Sequence, residues 1–314
     1  MKRHLVRQVA LAATVLGLGC ADTGLQPGEG FVDVEGGRVW YRINGSGTAT
    51  PLLLLHGGPG APSYYLDRLA ALADERPVIF YDQLGAGRSD QPSDTMLWTV
   101  DRFVRELATV REALGLERVH ILGHSWGTML GVDYMLTNPA GVESLILASP
   151  ALSIPRWLHD ADSLLKTLPD SVQQVIHAHE AAGTTDAPEY MAAVMDFYGR
   201  YVWRSNPPPP EIDSVFAHFG AGVYGYMWGP SEFTGTGTLK DYDRTGRLGE
   251  IMVPTLFTTG RHDEAVPATV AYYQSLVPGS RLVVLENSAH MTMLDEPERY
   301  IQIVRDFLRE VEGR

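Results

Sequence analysis

The chain of 314 residues is 45% hydrophobic, 20% charged and 9% aromatic, enough apolar material for a large core, which excludes a disordered chain. Its 25 Lys and Arg against 38 Asp and Glu leave a formal charge of −13 with no basic block, so a nucleic-acid backbone finds no electrostatic partner. A single cysteine and the lack of a Cys/His cluster at ligand spacing exclude an internal disulfide and a structural zinc, and leave packing to hold the fold.

Lys2, Arg3 and Arg7 make a positive opening, Val9 to Gly19 is apolar, and Cys20 stands where that run stops. Residues 1–19 therefore read as a bacterial secretory signal. The run is well short of the ~20 residues of a spanning helix, and Asp22, Gly24 and Pro27 follow it at once. Leu18-Gly19-Cys20 is similar to the lipobox of lipoproteins, whose cysteine is acylated and becomes the mature N-terminus, although Gly17 stands where a larger aliphatic residue is usual. The expectation is an exported protein, periplasmic or anchored to a membrane by lipid on Cys20; an ordinary signal peptide or an overlong start are the alternatives. Removing the leader takes away three basic residues and no acidic one, so the body has little hold on anionic lipid.

Phe31 to Ile43 alternates apolar and polar residues around Glu35-Gly36-Gly37-Arg38, which predicts a hairpin. Leu52 to Leu55, Val78 to Tyr81, Val119 to Leu122 and Leu145 to Ala148 are short, nearly continuous apolar runs at helix-length intervals, as expected of parallel strands buried on both faces. Helices are expected at Tyr64 to Asp74, Thr99 to Leu114 and Trp126 to Thr137, the last stopped by Asn138-Pro139. After Pro150 the rhythm breaks: Ser163 to Ala182 and Ala187 to Trp203 look helical, and Pro207 to Pro210 is a rigid break. Strands return at Thr255 to Thr259 and Leu282 to Leu285, with helices at Ala268 to Leu276 and Pro297 to Glu310. The prediction is an α/β protein with a mostly parallel sheet, an N-terminal hairpin, a core over 30–149 and 248–314, and an inserted helical cap over 150–247.

Val119 to Gly127 is an apolar strand running into Gly123-His124-Ser125-Trp126-Gly127 and then a helix, the context in which G-x-S-x-G marks an α/β-hydrolase nucleophile. Serine is a weak nucleophile at neutral pH and needs a base, which in turn needs a carboxylate to fix its tautomer. In this fold the order is serine, acid, histidine. Asp263 and His290 follow the last two predicted strands in that order, on the loops where open α/β sheets build their sites. His262 and Glu264 compete for the acid's neighbourhood, but a histidine supplies no anion; His124 packs or hydrogen-bonds near the turn. The oxyanion needs backbone donors already aimed at it. Trp126 is expected to give one and Gly58, in His56-Gly57-Gly58-Pro59-Gly60, the other, with Gly57 and Gly60 open to a plain turn role. This chemistry requires no cofactor and no metal.

With these residues in hand, the chain from about Phe31 onward resembles the proline iminopeptidase family of serine peptidases, in the branch of the tricorn-interacting aminopeptidase and amino-acid amidases. The resemblance rests on His56 to Gly60, Asp82-Gln83-Leu84-Gly85-Ala86-Gly87-Arg88-Ser89, Gly123 to Gly127, Gly260-Arg261-His262-Asp263-Glu264 and Ser288-Ala289-His290-Met291. It implies that two glutamates, Glu232 and Glu264, grip the free amino group of a small peptide or amino-acid amide, making an exopeptidase with a preference for proline. Without the resemblance, Glu264 is a surface charge beside Asp263 and Glu232 a salt-bridge or helix-end residue. Thr128 departs from the glycine of many relatives, Leu84 and Ala86 vary their loop, and Asp82 there is structural rather than chemical. Tyr198, Tyr201, Trp203, Tyr224, Tyr226 and Trp228 either wall an apolar pocket or form the insertion's own core. A carboxylesterase or lactonase uses the same triad, and a non-catalytic binding protein uses the same scaffold; these are the alternatives.

Overall fold

A computed structural model describes residues 24–313. The expected leader over 1–19 and the lipidation site Cys20 lie outside them. The hairpin is β1 (Gly28–Val34) and β2 (Gly37–Asn44), joined by a turn in which Gly36 has φ +95°. Four strands follow: β3 (Leu52–Leu55), β4 (Val78–Tyr81), β5 (Val119–His124) and β6 (Val142–Ala148). After the insertion come β7 (Thr255–Gly260) and β8 (Arg281–Leu285). They form one sheet in the order β1-β2-β4-β3-β5-β6-β7-β8, antiparallel in the β1/β2 and β2/β4 pairs and parallel elsewhere.

Every residue of β3, β4, β5 and β7 is buried, which explains the unbroken apolar runs of β3 and β4. Alternation divides them between two cores. Leu53, Leu55, Ile79, Tyr81 and Ile121 face one side; Leu52, Leu54, Val78, Phe80 and Leu122 face the other. Truncating one such leucine to alanine costs about 2–5 kcal/mol. Edge strand β8 is only partly buried, from an exposed Arg281 to a buried Leu285.

A 3-10 helix over Ser63–Asp74 stands where the sequence predicts a helix from Tyr64. Helix α1 (Val100–Ala113) starts at Thr99, whose hydroxyl accepts the Arg102 N–H at 3.3 Å, and α2 (Trp126–Met135) follows β5. Between β6 and β7 lie α3 (Ile154–Leu165), α4 (Asp170–Ala182), α5 (Pro188–Tyr201), α6 (Pro210–Ala217) and α7 (Ala221–Met227). The continuous helix expected from Ser163 to Ala182 is in fact two. Pro169 brings no N–H and turns the residue before it out of the helical region, so α3 ends and α4 begins afresh. Helices α8 (Pro267–Leu276), α9 (Thr292–Asp295) and α10 (Pro297–Val311) complete the chain.

Candidate active site

The loops that leave β3, β5, β7 and β8 at their carboxyl ends converge beside α5, α6 and α7 on a cavity of about 580 Å³. Ser125 sits between β5 and α2 with φ +54° and ψ −121°, a conformation a side chain rarely adopts. The two glycines make this turn possible by contact. A Cβ on Gly123 would lie 2.2 Å from the Gly127 carbonyl oxygen, and one on Gly127 would lie 2.2 Å from that of Leu55. Thr128, the departure from the family pattern, works at the same turn: its hydroxyl donates to the Ser125 carbonyl at 2.6 Å and accepts the Ala151 N–H at 3.2 Å.

His290 shares the cavity wall with Ser125. Its Nδ1–H donates to Asp263 Oδ1 at 2.8 Å, leaving Nε2 as the free base nitrogen. Asp263 is buried and saturated: Oδ1 also accepts the Ala265 N–H at 2.7 Å, and Oδ2 accepts Thr259 Oγ1–H at 2.9 Å and the Gly260 N–H at 3.3 Å. Burial alone would raise its pKa. The charge His290 takes on and its hydrogen bond, with the neighbouring Ser149 hydroxyl and the bond from the Ala265 N–H, outweigh burial and hold the carboxyl below its ordinary value. His262 is exposed, which removes it as a competitor.

Glu264, next in sequence, points into the same cavity and is only 2% exposed. Neither of its carboxyl oxygens has a hydrogen-bond partner, and Oε1 lies 3.8 Å from His290 Nε2. Burial, then the negative charges of Glu232 and Asp263, push its pKa well above the ordinary carboxylate range. The surface-charge alternative for Glu264 therefore falls. Glu232 lines the cavity too and accepts Tyr224 Oη–H at 2.8 Å. Its pKa is raised by burial, against the pull of His290 and the Tyr224 bond.

Gly57 N–H donates to Tyr65 Oη at 2.7 Å and is thus spent, while Gly58 lines the cavity at φ +106°. Trp126 opens α2, so its N–H has no acceptor within the helix. Gln83 joins these two donors' loops: its side chain donates to the His56 carbonyl at 3.1 Å and accepts Trp126 Nε1–H at 2.8 Å. Asp82 is structural, accepting from the Ser63 amide and hydroxyl and from Arg88.

A family profile described as the alpha/beta hydrolase fold matches residues 50–297. A proline iminopeptidase of Heyndrickxia coagulans is 50% identical over 90% of this chain and 99% of its own. The chain belongs to the proline iminopeptidase family of α/β hydrolases. The solved structure of the Mycobacterium smegmatis proline iminopeptidase superposes with a TM-score of 0.83 at 37% identity, covering 90% of this chain and 98% of that one. The structure of VinJ superposes at 0.88 with 40% identity, covering 91% and 100%.

Within this member of the family, several site residues carry no sequence motif. Trp157 on α3 donates Nε1–H to the Glu232 carbonyl at 2.8 Å and packs edge-on to His290 at 5.8 Å. The Tyr201 carbonyl at the end of α5 accepts both the Glu264 N–H at 3.2 Å and the His290 N–H at 3.1 Å. Of the six aromatics singled out, Tyr198, Trp203 and Tyr224 line the cavity; Trp228 packs on Trp157 and Tyr201 on Phe197 instead, and Tyr226 is 39% exposed.

Proposed function

We propose that the protein is a serine aminopeptidase that releases an N-terminal residue, preferentially proline, from small peptides and amino-acid amides. The observation that carries this reading is Glu264: a fully buried carboxylate with no partner, beside Glu232 and within reach of His290, is costly unless a cation fills the space between them. The substrate's ammonium is that cation. Held there, it sets the carbonyl one residue away against Ser125. An esterase would use the same triad but gains nothing from the two buried glutamates.

In the mechanism, Ser125 Oγ attacks the carbonyl carbon as His290 Nε2 takes its proton, and Asp263 steadies the imidazolium. The oxyanion is held by the N–H groups of Gly58 and Trp126. The C–N bond breaks as His290 returns the proton to the departing amine; water then repeats the sequence to free the amino acid from the acyl-serine. No step calls for a metal or cofactor. Proline p-nitroanilide compared with its N-acetylated form tests the assignment: the free amine is turned over and the acetylated form is not. Equal turnover of both sinks it.

The division into a core over 30–149 and 248–314 and a cap over 150–247 belongs to the same proposal, with α5 to α7 roofing the cavity. So does export with lipid on Cys20, which rests on residues 1–20 of the sequence. Labelled palmitate incorporated by the wild type and lost in Cys20→Ala is the expected result; a wild type that takes up no label removes the anchor.

A further inference from the structure

His124 precedes the nucleophile, is 1% exposed, and takes no part in the chemistry above. Its Nε2 lies 3.0 Å from the main-chain oxygen of His290 and its Nδ1 lies 2.9 Å from Tyr65 Oη. A carbonyl only accepts, so Nε2 carries the proton and Nδ1 accepts from the tyrosine. Tyr65 Oη in turn accepts the Gly57 N–H at 2.7 Å. The protons thus run one way: Gly57 N–H to Tyr65, Tyr65 O–H to His124, His124 N–H to the His290 carbonyl. Only this tautomer satisfies all three bonds.

The surroundings keep it so. Burial, then the charge on His290, lowers the His124 pKa to about 3, so the ring stays neutral with one donor and one acceptor. Its ring packs on those of His290 at 4.6 Å and Tyr65 at 5.1 Å, and Ser149 Oγ donates to the same His290 carbonyl at 3.0 Å. The groups that charge this region are Asp263, Glu264, Glu232 and His290, from the β7 and β8 loops and the insertion; none of their charged side chains hydrogen-bonds the His124 ring, whose hydrogen bonds go to the His290 carbonyl and Tyr65.

We propose that His124 and Tyr65 are positioning residues of the reaction: a directional hydrogen-bond chain that ties the backbone of His290 to the Gly57-Gly58 loop, so that base and oxyanion donor keep register around Ser125. The proposal rests on Ser125 and His290 acting as nucleophile and base. Three loops from three strands, β3, β5 and β8, are joined by one histidine at the middle strand's end. Because a displacement of about 1 Å in such a constellation costs on the order of 10²-fold in rate, the link acts on kcat rather than on binding.

The test uses the full chain with Tyr65→Phe, His124→Gln, His124→Asn and His124→Phe, assayed on proline p-nitroanilide. Gln places an N–H near the Nε2 position and keeps the bond to His290; Asn keeps only the acceptor toward Tyr65. Expected are a kcat lowered in all four variants, about 10-fold where one bond of the chain survives (Tyr65→Phe, His124→Gln and His124→Asn) and about 100-fold in His124→Phe, which keeps neither, with KM changed by less than about 3-fold. The rate at which a fluorophosphonate labels Ser125 should fall in parallel. Wild-type kcat in folded His124→Asn and Tyr65→Phe, or equal losses in Gln and Phe, overturns the chain. If a His124 variant does not fold, Tyr65→Phe, which removes one oxygen, decides alone. Undiminished turnover by Ser125→Ala would instead remove the nucleophile, and with it the functional reading itself.

Discussion

Asp263 and Glu264 are adjacent in sequence and each is 2% exposed, yet their surroundings oppose each other. Asp263 accepts from His290, Thr259, Gly260 and Ala265, while Glu264 accepts from nothing. Burial penalises both charges equally in kind. The difference lies in the donors: one carboxyl is held ionised by the folded chain, and the other is left to be ionised by a ligand. The first belongs to the enzyme's machinery at all times; the second belongs to it only when a cation arrives.

The largest test of this contrast is Asp263→Asn. It keeps the shape but favours the wrong imidazole tautomer, and kcat should fall about 10⁴-fold on every substrate, acetylated or free, active ester or amide. A loss restricted to free-amine substrates would place Asp263 with the clamp rather than with the base. Next in size is proton release. The raised pKa of Glu264 favours its protonated form in the empty site, and a bound ammonium favours the ionised form, so L-prolinamide binding to Ser125→Ala should release protons, up to about one per site. Calorimetry in buffers of different ionisation enthalpy reads this number; proton uptake would reverse the argument.

A smaller effect concerns stability. The folded pKa of Glu264 is raised, so the fold is penalised above the unfolded value of about 4.3, and the penalty grows until pH passes the folded value. Glu264→Gln should therefore have a Tm a few degrees above wild type at pH 8 and match it below about pH 4. Asp263 runs the other way: its depressed pKa gives stability above the unfolded value that is lost as pH falls through the folded one. A Glu264→Gln variant that melts lower than wild type at pH 8 would mean that the carboxylate serves the fold.

The parts legible in sequence are those with a local cause. The buried strands show as apolar runs, and the strand-to-helix turn shows as Gly123-x-Ser125-x-Gly127 because two glycines touch backbone there. Asp263 and His290 follow from chain order at strand ends. The break at Pro169 was also written in the chain, but Leu164, Leu165, Leu168, Val172 and Ile176 carry a helical spacing straight across it, and periodicity masked the stop. What had no local signal are contacts made by backbone or across long separations. Trp157 finds the Glu232 carbonyl 75 residues away, and Tyr65 meets His124 across 59. The burial of Glu264 belongs to this group too. A carboxylate beside a triad acid looks like a surface charge until α5 lays the Tyr201 carbonyl over its amide.

The measurement closest to the central claim is kcat/KM for proline p-nitroanilide and for N-acetylproline p-nitrophenyl ester, an activated substrate without an ammonium, on wild type and Glu264→Gln. A buried charge pair that loses one partner costs about 2–5 kcal/mol, so the free amine should lose at least about 30-fold while the acetylated ester changes little. Equal losses on the two substrates would contradict the account and make Glu264 part of the triad's support.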